Sequence, residues 1–155
     1  MPFRAKGLAL SSFETLFGLD DAALAARGIR RVTADAQPGF PCRVSLEDAQ
    51  PGETLLLLAF AHHDARSPYR ASGPIFVREA ADAPFDAVDV VPPSLRPRLL
   101  SLRAYDAQGD MVDAEVVEGR MVESVIERFF ARAEVSYLHA HNARRGCFAC
   151  RIERA

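Results

Sequence analysis

The sequence predicts an α+β fold, with a curved, mostly antiparallel sheet packed by one helix of the C-terminal half and by short N-terminal helices. Three observations predict it. Segments with strand character outnumber helical ones, short turns join many of them, and one segment carries a clear helical repeat. At 155 residues the chain is long enough to bury one good core, so we expect residues 1–155 to form a single domain.

Short helices are predicted near the N-terminus. Ser11 and Glu14 stand three positions apart, which is the spacing of a capping box that opens a helix. Asp20 can cap a second helix over residues 22–27, and Gly28 follows where such a helix ends. We therefore expect two short helices before the main strands begin.

The middle of the chain predicts strands. Residues 54–61 are apolar at both odd and even positions, which indicates a central strand buried on both faces. Further strand patterns follow at residues 74–78, 99–105 and 112–117. Residues 82–97 form a long, proline-rich segment, which predicts an irregular excursion over the surface.

The clearest helical period comes next in the chain. Apolar side chains recur at helical spacing, with charged ones between them, at Met121, Val122, Val125, Ile126, Phe129 and Phe130. This pattern predicts a helix over residues 121–131 with one face buried against the sheet. Residues 135–141 and 147–153 then predict two last strands.

Composition argues against several classes of partner. The net charge is −2, from 19 basic and 21 acidic residues, so no overall field favours nucleic acid or an anionic membrane, and we expect neither. The longest apolar run, residues 55–61, is too short to cross a bilayer, and no targeting segment is visible. Three cysteines without a disulfide-framework spacing are typical of a reducing cytoplasm.

The residues that can carry chemistry concentrate near the C-terminus. If residues 142–146 form a hairpin loop, His141 stands opposite Cys147 and His139 opposite Ala149. Because side chains alternate along a strand, one face of this hairpin is polar and carries Tyr137, His139, His141, Cys147 and Arg151. The opposite face is apolar and carries Leu138, Ala140, Phe148, Cys150 and Ile152.

Cys147 and Cys150 form a C-x-x-C pair, a spacing often found at zinc and redox sites. On a strand, however, positions i and i+3 face opposite sides. The two sulfurs therefore cannot share a metal ion, and Cys150 is predicted to be a core residue.

A metal site is the first hypothesis for the polar face. His139, His141 and Cys147 are borderline ligands that suit zinc or another late transition metal. Cys42 or a water molecule would complete the set. Zinc is accordingly the cofactor that this hypothesis implies.

A thiol site is the second hypothesis. Here Cys147 is the nucleophile, His141 or His139 accepts its proton, and Arg151 favours the thiolate. The neighbouring loop residues Arg144, Arg145 and Gly146 would hold an anionic substrate.

Other polar residues are candidates for the same site. His62 and His63 end the predicted central strand and face opposite sides, so one of them can join the C-terminal cluster. Residues 67–73 form a loop that suits an anion or a small ligand. The candidate ligand-binding residues are Tyr137, Arg151, Arg70 and Ser72.

Four separated motifs occur in order along the chain. They are Pro-Gly-Phe-Pro-Cys-Arg at residues 38–43, Ser-Pro-Tyr-Arg-Ala-Ser-Gly-Pro-Ile-Phe at residues 67–76, Arg-Ala-Tyr-Asp at residues 103–106, and His-Ala-His-Asn-Ala at residues 139–143 with Gly146-Cys147 after it. Together they resemble the bacterial domain of unknown function 1203 family, over essentially the whole chain. The resemblance implies a stand-alone bacterial domain without an assigned reaction.

Three function classes remain open from the sequence. The leading hypothesis is a cytoplasmic small-molecule- or metal-binding domain with its His and Cys site on the C-terminal hairpin. The alternatives are a thiol-dependent enzyme that uses Cys147 and a histidine base, and a non-catalytic interaction protein in which these side chains merely pack.

Overall fold

A computed structural model describes residues 2–155 of the chain and confirms the α+β class. In chain order its elements are β1 (Phe3–Lys6), α1 (Glu14–Phe17), α2 (Asp21–Ala25), β2 (Arg30–Thr33), β3 (Thr54–His63), β4 (Ala71–Arg78), β5 (Asp86–Val88), β6 (Leu99–Tyr105), β7 (Met111–Glu118), α3 (Val122–Phe130), β8 (Tyr137–Asn142) and β9 (Phe148–Arg154). Short 3-10 helices at Leu10–Ser12 and Gly119–Met121 precede α1 and α3.

Six strands form the larger sheet, in the order β5-β1-β9-β8-β6-β7, and every neighbouring pair is antiparallel. Helix α3 shares a core with this sheet because its apolar side chains recur at helical spacing and form one buried stripe. Ile126 and Phe129 of the helix pack in this core with Leu102, Leu138 and Ile152 of the sheet. The helix predicted over residues 121–131 is confirmed.

Three strands form the smaller sheet, in the order β2-β3-β4. The long apolar strand β3 lies at its centre, as predicted, and Leu56 and Ile75 belong to a second core. Phe13, which directly precedes α1, and Leu24 of α2 also belong to this core. Asp20 caps α2 by accepting a 2.8 Å hydrogen bond from the Ala23 N–H, which confirms the predicted cap.

Residues 41–48 join the two sheets. The Arg43 N–H donates to the Phe76 carbonyl of β4 at 3.0 Å, while the Arg43 side chain donates from Nε to the Phe148 carbonyl of β9 at 2.7 Å. One residue therefore bonds to both sheets. The end of the smaller sheet is held against the C-terminal hairpin of the larger one.

Several local predictions need correction. The sheet is divided into two, and the short strands β1, β2 and β5 were not predicted, because three or four residues carry too little periodicity. Ser11 does not cap a helix: it lies inside the first 3-10 helix, and no side chain caps α1. Within residues 2–155, no helix combines the length and the apolar character needed to span a bilayer.

Candidate functional site

All four histidines of the chain lie in one group, which we call the histidine cluster. His62 and His63 end β3, while His139 and His141 share one face of β8. Ring centroids are 5.1 Å apart for His62 and His141, 5.3 Å for His63 and His139, and 6.2 Å for His139 and His141. Both His62 and His63 reach the cluster, where alternation predicted one, because a register irregularity after Phe60 interrupts the regular alternation of β3.

Hydrogen bonds fix the tautomer of His63. Its Nδ1 lies 2.8 Å from the Tyr69 carbonyl, and its Nε2 lies 2.6 Å from the Tyr137 hydroxyl. A carbonyl only accepts, so Nδ1 carries the proton, and Nε2 accepts from the tyrosine. Tyr105 stacks on Tyr137 with ring centroids 5.2 Å apart, so the two tyrosines form an aromatic pair at this end of the cluster.

The other cluster histidines have buried nitrogens without polar partners. Among residues 2–155, no hydrogen bond reaches Nδ1 of His62, Nδ1 of His139 or Nε2 of His141. The rings of His139 and His141 instead meet Phe148 edge to face, at 77° and 81°. His141 Nδ1 donates to the Gly146 carbonyl at 3.0 Å and so ties the hairpin loop to its strand.

Burial keeps these rings neutral. It lowers the pKa of His139 to about 2 and the pKa of His141 to about 4, and the nearby His63 and Arg103 act in the same direction. Burial also lowers the pKa of His62. The rings of His62, His139 and His141 are therefore uncharged at neutral pH.

The register of the hairpin differs from the predicted one. His139 stands opposite Arg151, and His141 stands opposite Phe148, because one extra residue of β9, Ala149, interrupts the pairing. Phe148 consequently lies on the histidine face instead of the predicted apolar face. Cys150 remains in the core beneath α3, where burial raises the pKa of its thiol to about 12.

The predicted metal ligands are not brought together. Among residues 2–155, no three side chains of His, Cys, Asp or Glu are arranged to hold a metal ion. Cys42 is fully buried in the core of the smaller sheet, and its sulfur accepts from the backbone N–H groups of Val44 and Arg78 at 3.4 and 3.3 Å. The donor set of His139, His141, Cys147 and Cys42 therefore does not fit zinc in this arrangement.

Cys147 lies just before β9, and its partners are not histidines. Its sulfur accepts from Arg43 Nη2 at 3.2 Å and from Asn142 Nδ2 at 3.4 Å. Within the described residues 2–155 neither His139 nor His141 hydrogen-bonds to this sulfur. The structure thus pairs the predicted nucleophile with a guanidinium instead of the predicted base His141.

Arg43 is a buried charge, with 2% of its surface exposed. Its Nε and Nη1 donate to the carbonyls of Phe148 and Pro41 at 2.7 and 2.5 Å, which leaves Nη2 for the Cys147 sulfur. Burial lowers the pKa of Arg43, and the neighbouring Cys147 opposes that effect. The side chain is held rigidly by the backbone of two segments.

A cleft of about 460 Å³ opens beside this pair, which is within the usual size range of small-molecule sites. Apolar side chains form part of its wall, and the remaining lining residues are polar or basic. Its lining comprises Gly39, Pro41, Arg43, Phe76, Pro97, Arg98, Leu99, Asn142, Arg144, Arg145 and Cys147. We call this feature the arginine cleft.

The arginine cleft carries positive charge that the protein does not neutralise. Arg98 forms a two-point ion pair with Asp48, at 2.8 and 2.6 Å. In contrast, no ion pair within residues 2–155 involves Arg43, Arg144 or Arg145. Three guanidinium groups without carboxylate partners therefore line one cleft.

The four predicted ligand-binding residues lie outside the arginine cleft. Tyr137 is buried beside His63, and the Arg151 guanidinium lies 3.9 Å from its ring centroid. Arg70 pairs with Asp64 at the surface, and Ser72 is an exposed residue of β4. The first two border the histidine cluster.

Arg43 and Arg98 were not among the predicted site residues. Arg43 is 105 positions from Phe148 in the chain, so no local pattern could indicate their contact. One sequence feature did single out Arg43 itself, because this residue ends the first of the four motifs. Arg144 and Arg145 lie in the cleft, where the thiol hypothesis expected them to hold an anion.

Comparison with known proteins identifies a family. The family model described as "Protein of unknown function (DUF1203)" matches residues 39–154, a range that begins at Gly39 of the cleft and includes its other lining residues. No curated protein and no solved structure matches the chain.

Proposed function

The chain belongs to the DUF1203 family, and we propose that it binds a small organic anion in the arginine cleft. The observation that carries this proposal is the set of three cleft arginines without a carboxylate partner among residues 2–155. Guanidinium groups bind carboxylates and phosphates through paired, charge-assisted hydrogen bonds. A ligand with two or more negative charges matches such a set.

Arg43 is preorganised for this role. Two backbone carbonyls orient its guanidinium, so little side-chain entropy is lost when an anion arrives. Its burial also weakens screening by salt and strengthens its attraction to a charged group. Arg144 and Arg145 are exposed on the hairpin loop and supply long-range attraction instead.

The apolar lining indicates an organic ligand. Phe76, Pro97 and Leu99 face the same cleft as the arginines. An inorganic ion has no apolar surface to bury against these side chains. The carbon skeleton of a carboxylate or phosphate ester has such a surface, and its burial strengthens binding. The ligand class that we propose is therefore a small molecule with separate anionic and apolar parts.

Calorimetric titration with pyrophosphate and with citrate tests the proposal. We expect saturable binding that weakens as salt is added, and a loss of about tenfold or more in affinity in the double variant Arg144→Ala/Arg145→Ala. The double variant Arg27→Ala/Arg30→Ala is the matched control, because it removes the same charge from two exposed positions outside the cleft. Equal losses in both double variants, or no saturable binding, would refute a site in the cleft.

A thiol-dependent enzyme is the second candidate, favoured by the 3.2 Å contact between Arg43 Nη2 and the Cys147 sulfur. A buried cation next to a sulfur stabilises the thiolate, which is the nucleophilic form. Iodoacetamide should therefore alkylate Cys147 faster than an unstructured cysteine peptide at neutral pH. His139→Phe should leave that rate unchanged, since His139 neither hydrogen-bonds to the sulfur nor holds the hairpin loop.

A bacterial, cytoplasmic setting completes the proposal. Three unpaired cysteines support it, because free thiols persist in a reducing compartment.

A further inference from the structure

Cys147 is the cysteine that lines the arginine cleft. Cys42 and Cys150 are 0% and 1% exposed, and each belongs to a different hydrophobic core. A molecule in the cleft therefore meets one sulfur of the chain. Within residues 2–155, no second thiol lines the cleft to form an internal disulfide with it.

The sulfur of Cys147 is contacted by two hydrogen-bond donors. Arg43 has no carboxylate partner among residues 2–155, so the sulfur is the group that can supply a nearby negative charge. Asn142 Nδ2 adds a second donor at 3.4 Å. Two donors on one sulfur stabilise a thiolate, and a stabilised thiolate is both an available nucleophile and a good leaving group.

We propose that Cys147 undergoes reversible thiol–disulfide exchange with an anionic low-molecular-weight disulfide bound in the arginine cleft. This inference rests on the proposed anion-binding function and names a substrate class for the same site. The charge of the cleft selects the anionic disulfide, and the thiolate reacts with it. The product is a mixed disulfide between Cys147 and half of the ligand.

The exchange is balanced without another oxidant. The Cys147 thiolate attacks one sulfur of the bound disulfide, a new bond forms between the two sulfurs, and the original sulfur–sulfur bond breaks. The departing thiolate takes a proton from water, so one disulfide is consumed and one is formed. An external thiol of the same class reverses the step, because Cys147 leaves readily as a thiolate next to Arg43.

The arginines explain why the step is selective. Arg144 and Arg145 attract carboxylates of the incoming disulfide and repel ammonium groups. Once the mixed disulfide forms, the thiolate charge beside Arg43 is lost. A carboxylate of the bound half-ligand can then take its place as the counter-charge.

The test compares three disulfides of different charge by mass spectrometry of the intact protein. The probes are glutathione disulfide, which is net negative, hydroxyethyl disulfide, which is uncharged, and cystamine, which is positive. Each rate is divided by the rate of the same probe with an unstructured cysteine peptide, which removes differences in intrinsic reactivity. We expect the normalised rate for glutathione disulfide to exceed that for cystamine by about tenfold or more at low salt.

Variants identify the residues responsible. Arg144→Ala/Arg145→Ala should bring the two normalised rates to within a few-fold of each other, whereas Arg27→Ala/Arg30→Ala should preserve the difference. Cys147→Ser should form no adduct. Equal normalised rates in the unaltered protein, or an adduct on Cys42 or Cys150, would overturn the inference.

The same variants separate this inference from the proposed function. Cys147→Ser keeps every arginine of the cleft and should still bind pyrophosphate. If it does so while the unaltered protein shows no preference for glutathione disulfide, the exchange is wrong and the anion site stands. If neither pyrophosphate nor citrate binds to either protein, the proposed function is refuted, and the inference that rests on it is refuted too.

Discussion

The guanidinium of Arg43 keeps its charge in a position where 2% of the residue is exposed, because two backbone carbonyls and one sulfur surround it. An isolated buried charge costs several kcal/mol, and hydrogen bonds to carbonyl dipoles recover part of this cost. Under the proposed function, the positive charge of Arg43, which no carboxylate among residues 2–155 neutralises, attracts anions to the cleft. Arg43 thus both holds the two sheets together and lines the cleft beside Cys147.

Tyr137 and His63 form the shortest polar contact in the histidine cluster, at 2.6 Å. Tyr137→Phe removes the hydroxyl donor and leaves His63 Nε2 buried without a partner, so we expect a loss of about 1–3 kcal/mol in the free energy of unfolding. Tyr69→Phe is the control: Tyr69 is exposed and contributes its backbone carbonyl to His63, so its change should cost no more than about 0.5 kcal/mol. Urea unfolding measures both, and equal costs would contradict this view of the cluster.

At the scale of elements, the hairpin of β8 and β9 separates two environments. One face contributes His139, His141 and Phe148 to the aromatic cluster, while Ala140 and Cys150 pack in the core with α3. The extra residue in β9 turns Phe148 toward the histidines and still leaves Cys150 inside. The loop of this hairpin carries the exposed cleft arginines.

Local periodicity allowed part of this arrangement to be predicted. Strand β6 has the predicted bounds, 99–105, and α3 was predicted to within one residue at each end, because both have side-chain repeats along continuous segments. No residue type in the sequence indicates the bulge at Ala149. The residues opposite His141 and His139 were therefore predicted one and two positions away from the observed partners. The arginine cleft was beyond local patterns, because distant segments meet there, as Arg43 and Phe148 do.

The two cysteines of the hairpin, Cys147 and Cys150, test the assignment of one face to the cleft and the other to the core. Cys150→Ser places a hydroxyl in the core at a position 1% exposed, so we expect a loss of about 1–3 kcal/mol in the free energy of unfolding. Cys147→Ser makes the same chemical change at the cleft, where the hydroxyl can accept from Arg43, and should cost no more than about 0.5 kcal/mol. Urea unfolding of the two variants decides, and a larger cost at Cys147 would contradict the assigned faces.

At the scale of the whole molecule, the histidine cluster lies where the two sheets meet. Its rings come from β3 of the smaller sheet and from β8 of the larger one, and His62 stacks on Phe148 of β9 with centroids 5.2 Å apart. Association of the sheets therefore buries titratable groups. The stability of the fold should depend on pH for that reason.

We expect stability to fall as pH is lowered from 6.5 to 5. In this range the unfolded chain protonates its histidines, whereas His139 and His141, with pKa values of about 2 and about 4, stay neutral in the folded protein. The unfolded state binds more protons, so stability decreases with falling pH, with a slope approaching about 1.4 kcal/mol per pH unit for each of these histidines. The full stabilisation is present above pH 6.5.

Urea unfolding at several pH values measures this slope. His139→Phe should reduce this slope by about the amount that one histidine contributes. The variant lacks one group that, in this pH range, takes up a proton only in the unfolded chain. Replacing an exposed residue that carries no titratable group, as in Ser72→Ala, should leave the slope unchanged between pH 6.5 and 5. A stability that stays constant over this range would show that these histidines are protonated equally in both states.

Mapping an anion onto the protein by nuclear magnetic resonance tests the central claim most directly. The claim is that ligands bind at Arg43, Arg144 and Arg145 beside Cys147, and titration with pyrophosphate should shift the amide and guanidinium signals of these residues in a saturable way. Signals of Arg27 and Arg30, which are exposed arginines outside the cleft, should stay within the range produced by added chloride. Saturable shifts centred on those arginines, or cleft signals that follow ionic strength alone, would contradict the account.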